Sequence, residues 1–567
     1  MKKHSIYMAV YKARYLAIGA MALLIAGIAA AARPPRNHDQ AITRKLTTFN
    51  ALVRELAENY VDTLPVNRTF DTAIGAMLMS MDPYTEYYSR EDREGFNTMT
   101  TGQYGGIGSY IGMRRDSLVY ISGPYENSPA AKAGLRSGDR IVRIDTTDVR
   151  RAGNERVSAM LKGQPGTTVN ITVERPYAGP DSVLNFAIKR EKLNIPSVPY
   201  YGVTRGDIGY IRLNSYMEKS ADEVRRALEE FKANPAVKGV VLDLRGNGGG
   251  LVESAVEIVN FFVPKGTEVL RMKGREKDSE RIYKTTKHPL LPDMPLAVLI
   301  DGGSASSSEI TAGALQDLDR AVLIGSRSFG KGLVQSTRPL PYGGMLKLTT
   351  AKYYIPSGRL IQALDYSHRN PDGTVAATPD SLCNVFTTRA GREVKDGGGL
   401  QPDVKIEWPR VSPLTIALVR DNWIFDFGTR YAAGHPSIPS PQDFEITDEI
   451  YEQFKASIDP ARLKYDKNCE EILASLRKAA ETEGYMNDST AAALDALTPL
   501  LTHNLQRDLD THRRNISTYL TSDIIGRYYY NRGEVIADIK DDEALDRAAA
   551  ILNDSAEYKR LLSRPSR

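Results

Sequence analysis

The 567-residue sequence has only two cysteines, Cys383 and Cys469, too few for a disulfide-framework fold. Neither has a histidine or second cysteine at metal-ligand spacing, so no zinc site is expected. The two either form one disulfide in an oxidising compartment or remain free thiols. Charge of one sign is also missing. The 74 basic and 70 acidic residues are interspersed and leave a net charge of +4, which argues against a nucleic-acid partner. There is no P-loop, no GxGxxG and no internal repeat, so phosphate cradles and solenoids are not favoured. None of the seven histidines lies at a strand end beside a Gly-rich turn, which leaves any nucleophilic serine without an obvious imidazole base.

One uncharged apolar run is present, from Tyr15 to Ala32, behind Lys2, Lys3, Lys12 and Arg14. This is the layout of an export signal over residues 1–36, either cleaved near Ala30-Ala31-Ala32 or kept as a membrane anchor. No cysteine ends the run, so lipid attachment is not expected. Residues 42–100 read first as helix to about Met81, broken at Leu64-Pro65 and stopped by Asp82-Pro83. Leu46, Phe49, Leu52, Val53 and Leu56 form one apolar face. Residues 101–191 change to short β-branched runs with glycine punctuation, a small β-rich domain. Residues 192–410 alternate strands and helices. The strands 237–244, 296–301 and 321–324 are near-continuously apolar, as in a largely parallel sheet covered on both faces. Residues 411–567 read as an amphipathic helical domain, broken at Gly434–Pro441, that packs on the body or on another copy.

Chemistry concentrates where apolar strands run into glycines. After the strand 296–301 come Gly302-Gly303, then Ser304-Ala305-Ser306-Ser307-Ser308-Glu309 opening a helix. A serine there sits at the carboxyl end of a sheet strand, beside unpaired helix N–H groups able to hold an oxyanion. Helix capping alone is the plain alternative. Lys331, in Phe329-Gly330-Lys331-Gly332-Leu333-Val334, is the candidate base. The two glycines allow close backbone approach, and Phe329, Leu333 and Val334 offer an apolar wall that would lower its pKa. Asp243-Leu-Arg245-Gly-Asn247-Gly248-Gly249-Gly250 is a second strand-to-helix turn, either a further oxyanion donor or simply a tight turn.

Together, Gly-Ser-Ala-Ser306-Ser-Ser-Glu309, Phe-Gly-Lys331-Gly-x-x-Gln335 and Asp-Leu-Arg-x-Asn-Gly-Gly-Gly resemble the motifs of the C-terminal processing (tail-specific) peptidases, over about residues 45–410. Lys331 follows Ser306 by 25 positions and Gln335 follows Lys331 by 4, as in that family. The resemblance implies an α/β, crotonase/ClpP-like protease core with an inserted β-rich PDZ domain and helical N- and C-terminal regions. It implies Ser306 as nucleophile, Lys331 as general base, Gln335 orienting Lys331, and Glu309 as a supporting polar residue. The oxyanion donors would be the backbone N–H groups of Ser307 and of Gly248 or Gly249. The family often has proline at the position of Gly248, and proline has no N–H, so Gly249 is preferred. Gly105-Gly106-Ile107-Gly108 matches the PDZ loop that receives a peptide carboxylate. Lys162 stands where some members carry an arginine linking the two domains, and a lysine lacks that fork of donors.

The implied activity is a serine endopeptidase needing no metal or cofactor. It would act on exported polypeptides with accessible C-terminal tails and touch the membrane only through its N-terminal segment, with a homo-oligomer left open beside a monomer. The alternatives are a non-catalytic PDZ adaptor of the same fold and a crotonase-like acyl-CoA enzyme, which the PDZ segment and export signal disfavour.

Overall fold

The computed structural model describes residues 37–114, 118–179, 182–276, 278–370, 372–408 and 410–564. The export segment lies outside the described residues. Among those described, no helix is long and apolar enough to cross a membrane. Residues up to Ser80 form one compact unit and those from Met81 a second. The first holds helices α1 (Asn37–Asn59) and α2 (Val66–Met79). Pro65 is the residue before α2 and ends the irregular stretch between the helices. Leu46, Phe49 and Leu52 of the expected apolar face are each at least 42% exposed.

The second unit opens with β1 (Glu86–Tyr88) and β2 (Gln103–Gly106). Strands β3 (Ser109–Met113), β4 (Val119–Pro124) and β5 (Arg140–Ile144), helix α3 (Asn154–Leu161), and strands β6 (Thr168–Glu174) and β7 (Val183–Lys189) follow. The main path of this sheet is β3-β4-β5-β6-β7, with Thr147–Asp148 pairing beside β5. Ile121, Ile141, Ile144, Val169, Ile171 and Val173 fill a core of its own, because alternate residues of each strand face inward. Strand β8 (Glu191–Asn194) returns to pair with β2.

The next layer alternates as its sequence requires: β9 (Tyr200–Thr204), β10 (Ile208–Arg212), α4 (Ser220–Ala233), β11 (Gly239–Asp243) and α5 (Val252–Asn260). A hairpin of β12 (Glu268–Gly274) and β13 (Arg281–Lys284) precedes β14 (Leu296–Ile300), α6 (Ser307–Asp317) and β15 (Val322–Gly325). Then come β16 (Leu333–Pro339), β17 (Met345–Tyr354) and β18 (Val404–Lys405). The central sheet runs β9-β10-β11-β14-β15-β18 and is parallel except for β9. Parallel register (Val240 opposite Leu296, Val298 opposite Leu323) brings the carboxyl ends of β11, β14 and β15 to one edge. There the loops 244–250, 301–306 and 326–332 converge. A second sheet, β1-β17-β12-β13 with β16 beside β17, stands next to that edge.

One face of the central sheet packs on α4, α5 and α6 through Val240, Leu242, Val298 and Leu323. The other is covered by the chain's own tail. Helices α7 (Pro413–Arg420), α8 (Trp423–Gly434) and α9 (Asp448–Ser457) precede α10 (Asn468–Thr482), α11 (Asp488–Leu501) and α12 (Leu505–Thr511). The long α13 (Arg513–Asp538) is kinked at Tyr530 and leads to α14 (Glu543–Asn553) and α15 (Ser555–Leu561). Besides the expected break at Gly434–Pro441, the tail is interrupted between Ser457 and Asn468. Val535, Ile539, Leu545, Ala548 and Leu552 lie on Tyr210, Val241, Leu299 and Ile324. The earlier tail helices keep a separate core around Phe427, Tyr451, Phe454 and Leu520. That part also grips the β3–β7 domain. Arg114 forms a two-pronged ion pair with Asp426 at 2.6 and 3.0 Å, and the Tyr120 and Phe425 rings lie 4.7 Å apart. Cys383 and Cys469 are unpaired.

Candidate active site

The serine run after β14 divides its labour. Ser304 Oγ donates to the Leu244 carbonyl, Ser307 Oγ to that of Gly250 and Ser308 Oγ to that of Asn247, each at 2.8 Å. These three buried hydroxyls stitch the 301–308 loop to the 244–250 loop. Ser306 alone of the four is partly exposed. It caps α6 in a conformation (φ 56°, ψ −115°) that residues with a side chain rarely adopt. Ser306 thus stands at the N-cap position, and the strained residue is the one the motif marks as nucleophile.

Glu309, one turn into α6, is fully buried and gathers four donors. Its Oε1 accepts from Ser328 Oγ (2.5 Å) and the Gly330 N–H (2.7 Å). Its Oε2 accepts from the N–H groups of Ser306 and Lys331, both at 2.9 Å. Burial pushes this carboxyl up, and the donors of Ser328, Lys331, Gly330 and Ser306 pull it back toward the ionised form. Two segments distant in sequence are thus joined at a single carboxylate oxygen.

Lys331 is partly buried. Burial, then the neighbouring charge of Lys347, lowers its amine to about 8; Glu86, Asp82 and Glu309 act in the opposite direction. Its Nζ lies 4.2 Å from the centre of the Tyr84 ring, and among the described residues no hydrogen bond joins it to Ser306 Oγ. The apolar wall differs from the expected one: Leu333 is buried, but Phe329 is 49% exposed, and Tyr84 takes its place. Gln335 Nε2 donates to Thr349 Oγ1 at 3.1 Å, with no hydrogen bond to Lys331, so a direct orienting contact is absent. The reason is local: a register shift between Val334 and Gln335 sets Gln335 opposite Thr349 on β17.

Gly249 lies hard against Ser306. Its φ is +97°, and a Cβ there would come within 2.9 Å of the Ala305 carbonyl, Ser306 Cβ and Ser307 N. Its N–H, expected to be free for an oxyanion, donates to Asn247 Oδ1 at 2.9 Å. The short Asn247 side chain folds back on the backbone two residues on, a turn of the kind asparagine favours. Gly248 has open space around it. The Ser307 N–H is at the first position of α6, where no intrahelical acceptor exists. At the strand's end Asp243 is fully buried. Although burial pushes it up, Arg245 and Arg212 hold its carboxyl well below the usual range.

In the smaller domain, Gly105 and Gly106 pair with Lys192 and Glu191 of β8. Ile107 is buried in the domain core, its carbonyl accepting from the Ala130 N–H at 2.8 Å. Gly108 (φ +79°) makes the turn into β3. Strand β3 has β4 on one side only, so its other edge is open, near α3. Lys162 Nζ lies over the Tyr104 ring at 5.8 Å. Sequence reasoning missed Tyr84, Asn247 and Ser328. The Asp82-Pro83 step that read as a helix stop was the available signal for Tyr84.

A strained serine at a helix start, a lysine tied to it through a buried carboxylate, a separate β domain and a helical tail are the features set beside known proteins. Residues 207–372 match the model of peptidase family S41, 120–175 that of the PDZ domain, and 414–552 that of the C-terminal helical domain of probable PDZ-proteases. A carboxy-terminal-processing protease of Bartonella bacilliformis is 37% identical over 332 residues, 58% of this chain and 75% of that one. A probable CtpA-like serine protease of Staphylococcus aureus is 32% identical over 362 residues, 63% of this chain and 70% of its own. Among solved structures, the photosystem II D1 C-terminal processing protease is 27% identical, with a TM-score of 0.35 over 63% of this chain and 86% of that one. The chain belongs to peptidase family S41, among the carboxy-terminal-processing proteases.

Proposed function

We propose that this protease is a serine endopeptidase in which Lys331 activates Ser306. The observation that carries this reading is the shared Glu309 oxygen, which ties the backbone of the strained serine to that of a lysine whose amine is lowered to about 8. A neutral amine at that position takes the Ser306 proton as Oγ attacks the peptide carbonyl. The Ser307 N–H and the Gly249 N–H, which exchanges Asn247 Oδ1 for the new anion, hold the oxyanion. The lysine returns the proton to the leaving amine, and water then releases the acyl group. Gln335 acts through the Thr349 hydroxyl that supports β17 rather than on the amine directly. The substrate tail adds as a strand to the open edge of β3, its carboxylate at the Gly105–Gly108 turn, which raises its concentration at Ser306. The N-terminal segment delivers the enzyme outside the cytoplasm.

An unfolded polypeptide with a free C-terminus, incubated with wild type, Ser306→Ala and Lys331→Ala, tests this reading. Cleavage should be lost in both variants, and wild-type kcat/KM should rise with pH through about 8, as the amine loses its proton. Undiminished cleavage by Lys331→Ala would leave the PDZ-adaptor fold with some other chemistry and end the proposal.

A further inference from the structure

Tyr84 is held in place beside the lysine amine. Asp82 Oδ1 accepts the N–H groups of Tyr84 and Thr85, both at 2.8 Å, and Asp82 Oδ2 accepts the Thr85 hydroxyl at 3.0 Å. Two residues on, β1 pairs with β17, Glu86 opposite Lys347. The Tyr366 ring stands edge-on to Tyr84, centroids 5.8 Å apart, and donates its hydroxyl to the Tyr84 oxygen at 3.3 Å. The ring thus has a fixed face, and the Lys331 amine is on it. Among the described residues that amine has no hydrogen-bonding or ion-pairing partner.

We propose that Tyr84 is a positioning residue for Lys331, its ring face binding the protonated amine and releasing the neutral one. The inference rests on the reading of Lys331 as the base for Ser306. An aromatic face attracts a cation through its quadrupole and has no comparable hold on a neutral amine. The ring therefore discriminates between the two protonation states. The resting ammonium stays on the ring, and loss of its proton frees it to reach Ser306. When the proton from Ser306 arrives during attack, the ring stabilises the ammonium until the leaving amine takes it.

The other charges facing Lys331 are largely committed elsewhere. Lys347 on β17 and Glu86 on β1 pair with each other at 2.7 Å. Glu309 on α6 serves four donors, and Asp82 closes its own turn. Burial, then the charge of Lys347, lowers the amine, and a ring face beneath a cation acts in the opposite sense. A cation on a partly desolvated ring should account for about half to one pH unit of its position.

The test uses the full chain with lysines 13C-dimethylated, the Lys331 signal being identified by its loss in Lys331→Arg. Its titration by NMR and the pH profile of kcat/KM are recorded for wild type, Tyr84→Phe, Tyr84→Leu and Tyr84→Trp. Phe keeps the face and should leave the titration within a few tenths of a unit. Leu keeps bulk without a quadrupole and should move the titration and the acid limb of kcat/KM down by about half to one unit; Trp should move both up. A Leu variant with an unmoved or raised titration, or a Phe variant shifted as far as Leu, overturns the inference. Should Leu fail to fold, the Trp and Phe titrations decide alone. Because NMR needs no turnover, a Lys331→Ala enzyme that still cleaves would sink the proposed base and leave the cation–ring measurement standing.

Discussion

At the scale of single residues the site turns on Glu309, whose geometry admits no isosteric substitute. Each carboxylate oxygen faces two donors, Ser328 Oγ and the Gly330 N–H on one, the Ser306 and Lys331 N–H groups on the other. Glu309→Gln keeps the shape but turns one oxygen into an NH2, which confronts the Ser306 and Lys331 N–H groups in one orientation of the amide and the Gly330 N–H in the other. Buried donors left facing a donor should cost on the order of 2 kcal/mol, more because the lost acceptor was charged. The segments bearing Ser306 and Lys331 would then separate. The expected result is a clearly lower melting temperature and a fall in kcat/KM of at least about tenfold, beyond what the lost stability explains at a temperature where the variant is folded. Wild-type activity in Glu309→Gln would mean that the shared oxygen does not set the distance between serine and lysine. Glu309 stands in the motif, but its sequence position suggested only a supporting residue. Which backbone amides it binds depends on a loop beyond the next strand, and only the fold brings that loop to it.

At the scale of elements, two glycine loops at the ends of parallel strands do different work. Gly249 has a left-handed backbone and no room for a Cβ, the obstacles being the Ala305 carbonyl, Ser306 Cβ and the Ser307 nitrogen. Gly249→Ala must push Ser306 away from the 244–250 loop. It should lower stability by about 1–3 kcal/mol and cut kcat/KM at least about a hundredfold. Gly248→Ala meets nothing within 4 Å and should melt with wild type; thermal melts of the pair measure the contrast. An equal effect at both positions would show that the loop yields freely. The strands that position these loops were legible because a parallel strand buried on both faces must be apolar at nearly every position, as Val240–Leu242 and Leu296–Ile300 are. Strands β9, β12 and β16 were not, because they are partly exposed or carry polar residues such as Gln335 and Arg271, whose pattern resembles loops. The helical wheel of α1 was legible as an apolar stripe, but periodicity says nothing about whether a partner covers it, and Leu46, Phe49 and Leu52 of that stripe are exposed. Tyr84 escaped for a related reason: a turn sequence announces the turn and is silent on what its side chains touch.

At the scale of the whole molecule, the tail that reads as an appended helical domain is in part a layer of the protease. A parallel sheet needs both faces covered, and the chain between β10 and β18 supplies helices to only one of them. The second cover arrives from α13, α14 and α15, with Leu545, Ala548 and Ile551 fully buried. Polar contacts fix its register. Asp542 caps α14 with Oδ1 and holds Arg245 with Oδ2 at 2.5 Å, and Arg245 also grips Asp243. Tyr558 bonds the backbone of Leu296 and Arg320 at the opposite end of the sheet. The same tail carries Asp426 and Phe425, which seat the PDZ domain. One segment therefore covers the central sheet, touches the loop beside Ser306 and fixes the PDZ domain. Removing residues 541–567 would expose Val241, Leu299 and Ile324 and strip away several large apolar side chains worth about 1.5–3 kcal/mol each, a loss comparable with the whole stability of an ordinary domain. The truncated chain should be insoluble or lack cooperative unfolding. In the full chain, Leu545→Ala should cost about 2–5 kcal/mol while leaving kcat/KM of the folded fraction near wild type. A soluble, cooperatively melting and active 1–540 chain would mean that the sheet's outer face tolerates water, and the tail would then be an accessory to the peptidase rather than part of its core.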